Sequence, residues 1–391
     1  MERRLAHIEI ITDLQPIKDA QNIEVATVLG WQCVVKKGEF KLNDKVIYIE
    51  VDSVVPDNPE FEFLRDRKFR IRTIKLKGQI SMGLILPLSI IKDIVSPPFN
   101  TWYIGMDVTE QLGITKYLSP SEREENDIIQ KKLLNESNKL KKFLMRYSWF
   151  RKFFLSRKQK EGFPYWVSKT DEERIQNIPQ VLEQFKDKEV YVTEKIDYQS
   201  GTWTGKLIPN TIPIIGKLLP KKYKFVVCSR NLMTNDKNSL YWKIAEKYNL
   251  EQILKTNPNL TIQGEQGDTK VQGNKYSITE PTMWVFNIID HEKNYHYNRE
   301  DLIRFCNKNK LQFVPMLCLK DKVINGQLNN WYQFKLSELG STVQELVEFS
   351  KGKSILNNKV DREGIVVRCI ENGKKILSFK VINPNFLLKY E

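Results

Sequence analysis

A lysine set among carboxylates stands out in the stretch Tyr191-Val-Thr-Glu194-Lys195-Ile-Asp197-Tyr198. An amine withdrawn from water loses its preference for the charged form, and a nearby divalent cation pushes its pKa the same way. Such an amine can attack an electrophile. Without a cation, the same lysine is expected to rest as an ammonium ion. Asp197 lies two residues beyond Lys195, so an extended strand puts both side chains on one face. Lys-x-Asp alone equally suits an exposed strand with an ion pair. The rest of the chain has to decide.

Composition narrows the classes. At 391 residues, 41% hydrophobic and 28% charged, the chain reads as a soluble globular protein of two or three domains. No apolar run approaches the roughly 20 residues of a membrane span, and the start lacks a secretory pattern. The five cysteines are scattered without a C-x-x-C pair. That implies reduced thiols, a cytoplasmic location and no zinc framework. Three histidines make histidine-based catalysis unpromising. A net charge of +14 points to a polyanionic partner.

Three regions would position the lysine, in an α+β chain. Residues 1–118 read as an OB-like β-barrel, with short strands expected at Glu24–Leu29, Trp31–Val35, Lys45–Val51, Phe69–Leu76 and Met82–Leu86. In Phe69–Leu76 the alternation sets Phe69 and Ile71 inward and Arg70 and Arg72 outward. It shifts phase near Thr73, then sets Lys75 and Lys77 outward. Arg70, Arg72, Lys75 and Lys77 would thus form a cationic rail for phosphates. Residues 119–162 read as a basic helical connector, with a capping box at Ser121 and Glu124 and an apolar stripe through Leu140, Phe143, Leu144 and Tyr147. Residues 163–391 form the second domain. There Thr170-Asp-Glu-Glu173 reads as a capping box opening a helix that carries Arg174. Strands are expected at the Lys195 stretch, Thr202–Leu207, Phe225–Ser229, Thr261–Gly264, Met283–Ile289, Gly364–Cys369 and Ile376–Ile382, with helices near Leu240–Tyr248, Arg299–Lys308 and Ser341–Lys351. Gly201-Thr-Trp-Thr-Gly205-Lys206-Leu207 superficially suggests a P-loop. Its spacer is one residue short and Leu207 stands at the hydroxyl position, so that reading is rejected.

One order of motifs is specific. Glu194-Lys195-Ile-Asp197 is followed by Cys228-Ser229-Arg230-Asn231, Gln263-Gly264-Glu265, Trp284-Val-Phe286, Arg362-Glu363-Gly364-Ile-Val-Val-Arg368 and Ser378-Phe379-Lys380-Val. The series resembles the covalent nucleotidyltransferase superfamily. The barrel segments around Glu24, Val34, Tyr48 and Phe69, with Phe163-Pro and Lys169 to Gln176, resemble the Naegleria-type ATP-dependent RNA ligases, the fifth RNA ligase family. That family puts its OB domain before the nucleotidyltransferase domain. DNA ligases and capping enzymes carry theirs after the last motif, and in this sequence eleven residues follow Lys380.

The resemblance implies an ATP-dependent RNA ligase of RNA repair, sealing 3′-OH/5′-phosphate ends, at nicks in duplex RNA, through lysyl-AMP and RNA-adenylate. It implies Lys195 as nucleophile, Asp197 assisting the final step, and Lys380 contacting the α-phosphate. Glu194, Arg174, Arg230 and Phe286 would bind the nucleotide, Phe286 by stacking on adenine. Glu265 and Glu363 would hold ribose hydroxyls and Mg²⁺ or Mn²⁺ or its waters. A monomer without a membrane partner is expected. The other readings are a DNA ligase or capping-type nucleotidyltransferase, and a catalytically degenerate RNA-binding protein.

Two residues depart from the family pattern. Tyr198 stands where the motif has glycine, which requires either ordinary dihedrals there or Gly201 in that role; Tyr198→Gly is expected to be tolerated. Ile382 stands near where a second lysine is usual, leaving Lys389 as a remoter substitute. Since the chemistry-bearing residues follow Phe163, a fragment starting there is expected to form lysyl-AMP if it folds.

Overall fold

The computed structural model describes residues 4–92, 102–118, 163–208, 220–319, 321–324, 327–330 and 333–390. The expected connector helix, including Ser121, Glu124 and Leu140, and most of the insertion between Pro209 and Pro220 lie outside these residues.

The first domain is a five-stranded antiparallel sheet. In chain order its strands are β1 (Ala6–Pro16), β2 (Ile23–Val28), β3 (Trp31–Lys36), β4 (Lys45–Ile49) and β5 (Leu84–Pro87), arranged β3-β2-β1-β4-β5. Met82 N donates to Gln32 O, bringing the approach to β5 back beside β3. The longest strand, β1, escaped the sequence reading because His7 and Glu9 interrupt its apolar run, yet both are buried. They meet at 2.9 Å, and His7 also faces Glu50.

Phe69–Leu76 does not form the expected strand. A 3-10 helix spans Pro59–Arg67, Lys68 and Phe69 take left-handed φ, and only Ile74–Leu76 is extended, pairing with Gln79–Ser81. The alternation is therefore broken: Arg70 and Ile71 are both buried, whereas Arg72, Lys75 and Lys77 are exposed.

The second domain holds two sheets. The first runs β6 (Glu173–Arg174), β14 (Lys374–Ile382), β13 (Gly364–Glu371), β7 (Glu189–Lys195), β12 (Met316–Leu317). The second contains β9 (Lys222–Cys228), β8 (Gln199–Ile208), β10 (Leu260–Gly267), β11 (Thr282–Asp290) and the short strand Tyr295–His296. Val190 to Glu194 on β7 are all buried, as befits a strand covered on both faces. Helices α1 (Leu240–Lys247), α2 (Leu250–Thr256) and α3 (Arg299–Lys308) cover the second sheet, and α4 (Val343–Ser350) covers the first. Thr342 and Glu345 form a true capping box at α4. Strand β7 leaves the first sheet at Lys195, and after Ile196–Tyr198 the chain enters the second as β8. The nucleophile candidate sits where one sheet hands the chain to the other.

Thr170–Glu173 opens no helix. Glu173 and Arg174 instead pair in parallel with Phe379 and Lys380, and a 3-10 turn follows at Ile175–Asn177. Tertiary packing overrides the capping pattern, because Ile175 and Gln176 are both buried there. This turn docks the barrel. Gly30 N donates to Gln176 O, Trp31 Nε1 donates to Asn177 Oδ1 at 2.7 Å, and Asn177 Nδ2 donates to Glu50 Oε1 at 2.7 Å. A Cβ at Gly30 would sit 2.9 Å from Gln176 Cα and from Val343, so close approach dictates glycine.

Candidate active site

A cavity of about 630 Å³ opens between the two sheets and the barrel. Strand β7 supplies Lys195. Its register partner on β13 is Gly364, which places Glu363 beside the amine, both carboxylate oxygens 2.6 Å from Nζ. The Lys195 side chain keeps 25% of its exposure and Glu363 14%. Burial pulls the Lys195 pKa down, but Glu363, Glu265 and Asp197 outweigh it and leave it above the ordinary value. The ammonium expected without a cation is what the geometry holds.

Glu265 comes from β10, where Ser200 and Trp284 flank it in register. Burial pushes its carboxyl up to about 8; Lys195 and Arg230 pull it down and Glu363 pushes it up. Its Oε2 is buried without a hydrogen-bond partner among the described residues. Burial also raises Glu363. Two desolvated carboxylates beside one lysine, one of them with an oxygen left without a partner among the described residues, suit a hydrated divalent cation. Hard oxygen donors and few protein ligands are what Mg²⁺ or Mn²⁺ require when most of the coordination is water. Among the described residues no group of three His, Cys, Asp or Glu converges in a dedicated protein cage.

The remaining predicted residues divide by position. Phe286 lines the cavity from β11, with the Arg368 guanidinium 5.6 Å from its ring centroid. Arg368 itself is buried, 3.3 Å from Glu172. Lys380 lies opposite Arg174 across the parallel pair, and Arg230 is ion-paired with Asp171. Glu194 is buried; its Oε2 accepts from Ile355 N at 2.8 Å, while Oε1 has no partner. Burial raises its pKa, against hydrogen bonds from Ser354 and Ile355. Asp197 lines the cavity, its backbone N donating to Tyr276 Oη at 2.9 Å.

Arg174 binds Asp52 of the barrel at 3.4 Å and lies over Trp31 at 5.5 Å. Asp52 also takes Arg70 at 2.9 Å, and Arg70 covers the Tyr117 ring at 3.6 Å. Both arginines have a buried Nε without a hydrogen-bond partner among the described residues. Together with Lys116, carried by a two-residue strand paired with Ser53–Val54, they give the cavity a cationic wall where the barrel meets the ligase domain. Of the four expected rail residues, Arg70 alone lines the cavity; Arg72, Lys75 and Lys77 do not. Lys116 and Tyr117 escaped the sequence reading, since nothing in their neighbours sets them apart from ordinary turn residues; Asp52 lies in the Tyr48–Val54 segment that carries the barrel resemblance, without a role assigned to it. Arg368 and Glu172 lie within the quoted motifs and could have been found there.

The Tyr198 departure has a structural answer. Tyr198 avoids positive φ, is buried, stacks on Trp284 with centroids 5.9 Å apart, and meets Tyr276 edge-on at 5.1 Å. Room comes from Gly267, where a Cβ would fall 2.4 Å from the tyrosine ring. Gly201 lies within β8 at ordinary φ, so it supplies no special turn; the same strand disposes of the P-loop reading.

Residues 188–382 match the RNA ligase family model, and residues 5–88 match an OB-fold domain model. The chain belongs to the RNA ligase family. Solved structures of Naegleria gruberi RNA ligase are similar over the full length. A point mutant with ATP and Mn is 26% identical, covering 99% of each chain with a TM-score of 0.73. The protein with PPi is 27% identical, and another mutant with AMP and Mn is 28% identical, at the same coverage and TM-score. No curated protein matches the chain by sequence. The OB barrel followed by a ligase domain is the architecture expected. No helix among the described residues of this ligase is long and apolar enough to cross a membrane.

Proposed function

We propose that this RNA ligase uses ATP to join 3′-OH and 5′-phosphate RNA ends, acting at nicks in duplex RNA, with residues 1–118, 119–162 and 163–391 as barrel, connector and catalytic domain. The observation that carries the reading is Lys195 held by Glu363 in a cavity whose far wall is cationic. Lys195 Nζ attacks the α-phosphorus of ATP; the Nζ–P bond forms as the bond to pyrophosphate breaks. Glu363, with both oxygens against Nζ and its own pKa raised, is placed to take the proton. AMP then passes to the RNA 5′-phosphate, and the 3′-OH displaces it. Each displacement is in line, so the residues contribute mainly alignment and charge neutralisation.

Phe286, backed by Arg368, offers adenine a stacking face. The orphaned Glu194 Oε1 offers its amino group an acceptor. Lys380 serves the α-phosphate, and Arg174, Arg230, Arg70 and Lys116 serve the phosphates beyond it. Glu265 and Glu363 would hold Mg²⁺ or Mn²⁺ or its waters; such a cation lowers the amine's pKa and offsets phosphate charge. The Naegleria structures with ATP, AMP and Mn support ATP and a divalent cation as what this ligase binds. Arg72, Lys75 and Lys77 remain available to grip RNA backbone from the barrel's exposed hairpin.

Labelled ATP with Mg²⁺ or Mn²⁺, followed by denaturing electrophoresis, tests the reading. Wild type should carry an acid-labile, base-stable AMP adduct, and GTP should give none. A full adduct on Lys195→Ala would overturn it.

A further inference from the structure

The loop from Asp268 to Pro281, between β10 and β11, approaches Asp197 with two consecutive residues. Tyr276 Oη accepts from the Asp197 backbone N, and the Lys275 ammonium pairs with the Asp197 carboxylate. Lys275 itself does not line the cavity, whereas Asp197 does. The lysine is fixed from three further directions. Its backbone O accepts from Asn357 Nδ2 at 2.8 Å. Its Nζ lies 4.8 Å from the ring centroid of Phe386 and 4.8 Å from that of Tyr390, both on the helix α5 (Pro384–Tyr390). The loop is held in shape as well: Asn274 bonds both ways with Ile278 and accepts from Tyr198 Oη. A mobile surface lysine would not be held so; this one is aimed.

Charge explains why aiming matters. Glu265 and Glu363 already crowd the reacting centre, and every substrate brings phosphate. An uncompensated Asp197 would add to that repulsion and would be free to swing toward Lys195. We propose that Lys275 is a positioning residue for strand joining. It acts through Asp197, fixing the carboxylate and balancing its charge, and is itself directed by the Phe386 and Tyr390 rings. The inference rests on the ATP-dependent ligation proposed above and on Asp197 serving its last step.

The test uses the full chain and a pre-adenylylated nicked RNA duplex under single turnover, beside lysyl-AMP formation from ATP. Lys275→Met keeps the stem and removes the charge; strand joining should slow about tenfold, in the maximal rate rather than in KM. Lys275→Arg, which retains charge and ring contacts, should recover most of the rate. In an Asp197→Ala background, Lys275→Met should cost nothing further, because a residue acting through another has no separate effect. Joining by Lys275→Met at the wild-type rate would overturn the inference. So would a loss that adds in full to that of Asp197→Ala, which would mean the lysine merely supports the loop. A wild type that forms no lysyl-AMP would instead overturn the ligation reading, and this inference with it.

Discussion

The two walls of the cavity are built on different principles. The ligase-domain wall gathers carboxylates around one amine, with an orphaned oxygen and raised pKa values. The barrel wall offers one carboxylate, Asp52, to two guanidinium groups, its own Arg70 and the ligase domain's Arg174, and braces them on the rings of Tyr117 and Trp31. The first wall can do bond-making chemistry. The second offers only positive charge, anchored by ion pairs and rings. A few residues from Arg70, the exposed Arg72, Lys75 and Lys77 carry the same charge with no ion pair or ring contact among the described residues. Positive charge on a barrel therefore says little until its partner is known.

Perturbing each wall in turn sharpens the contrast. Lys195→Ala should lower adduct formation by at least about 10³-fold, and Lys195→Arg equally, since a guanidinium does not deprotonate in proteins. Glu265→Gln should cost about 10²-fold in adenylylation, yet it should stabilise the protein at high pH. The sign follows from linkage. The folded carboxyl titrates near 8, above its unfolded value of 4.5, so its contribution is present below pH 4.5 and is lost as pH rises through 8. In chelator above pH 8, Glu265→Gln should melt higher than wild type; below pH 4.5 the two should coincide.

On the barrel wall, Asp52→Ala strands two buried arginines and should destabilise the fold by about 3–5 kcal/mol, read as a lowered denaturation midpoint. Its adenylylation rate should fall with the loss of Arg174's orientation. For the same reason a fragment starting at Phe163 should form lysyl-AMP poorly, contrary to what the position of the motifs alone suggests. The smallest effect belongs to the exposed hairpin. Joint alanine substitution of Arg72, Lys75 and Lys77 should leave adenylylation unchanged and flatten the salt dependence of duplex RNA binding, by roughly 0.9 in slope per lost phosphate contact. An unchanged salt slope would confine RNA contact to other surfaces.

Legibility in the sequence followed locality. The strand Gly364–Glu371 announces itself by a continuous apolar, β-branched run, and the helix Arg299–Lys308 by the period of its own side chains. Lys195, Glu265, Phe286, Glu363 and Lys380 were found through an ordered motif series, and the fold brings all five to one cavity. What stayed hidden depends on contacts distant in sequence. Arg174 extends a sheet rather than a helix because Phe379 and Lys380 offer it a ladder. Asp52 becomes a site residue only once the barrel docks. Lys275 and Tyr276 sit in a turn-rich loop whose composition carries no sign of what it faces.

The interlock of Tyr198 with Gly267 has a consequence for how this sequence can change. Starting from the present pair, an alanine at 267 drives a methyl into the tyrosine ring, whereas glycine at 198 only empties the space between Trp284 and Tyr276. The two substitutions are thus unequal as first steps: one is blocked by collision, the other costs packing but leaves the backbone intact. A lineage carrying the tyrosine can return to glycine at 198 and only afterwards admit a side chain at 267. The ring at 198 thus has to shrink before position 267 can carry a side chain.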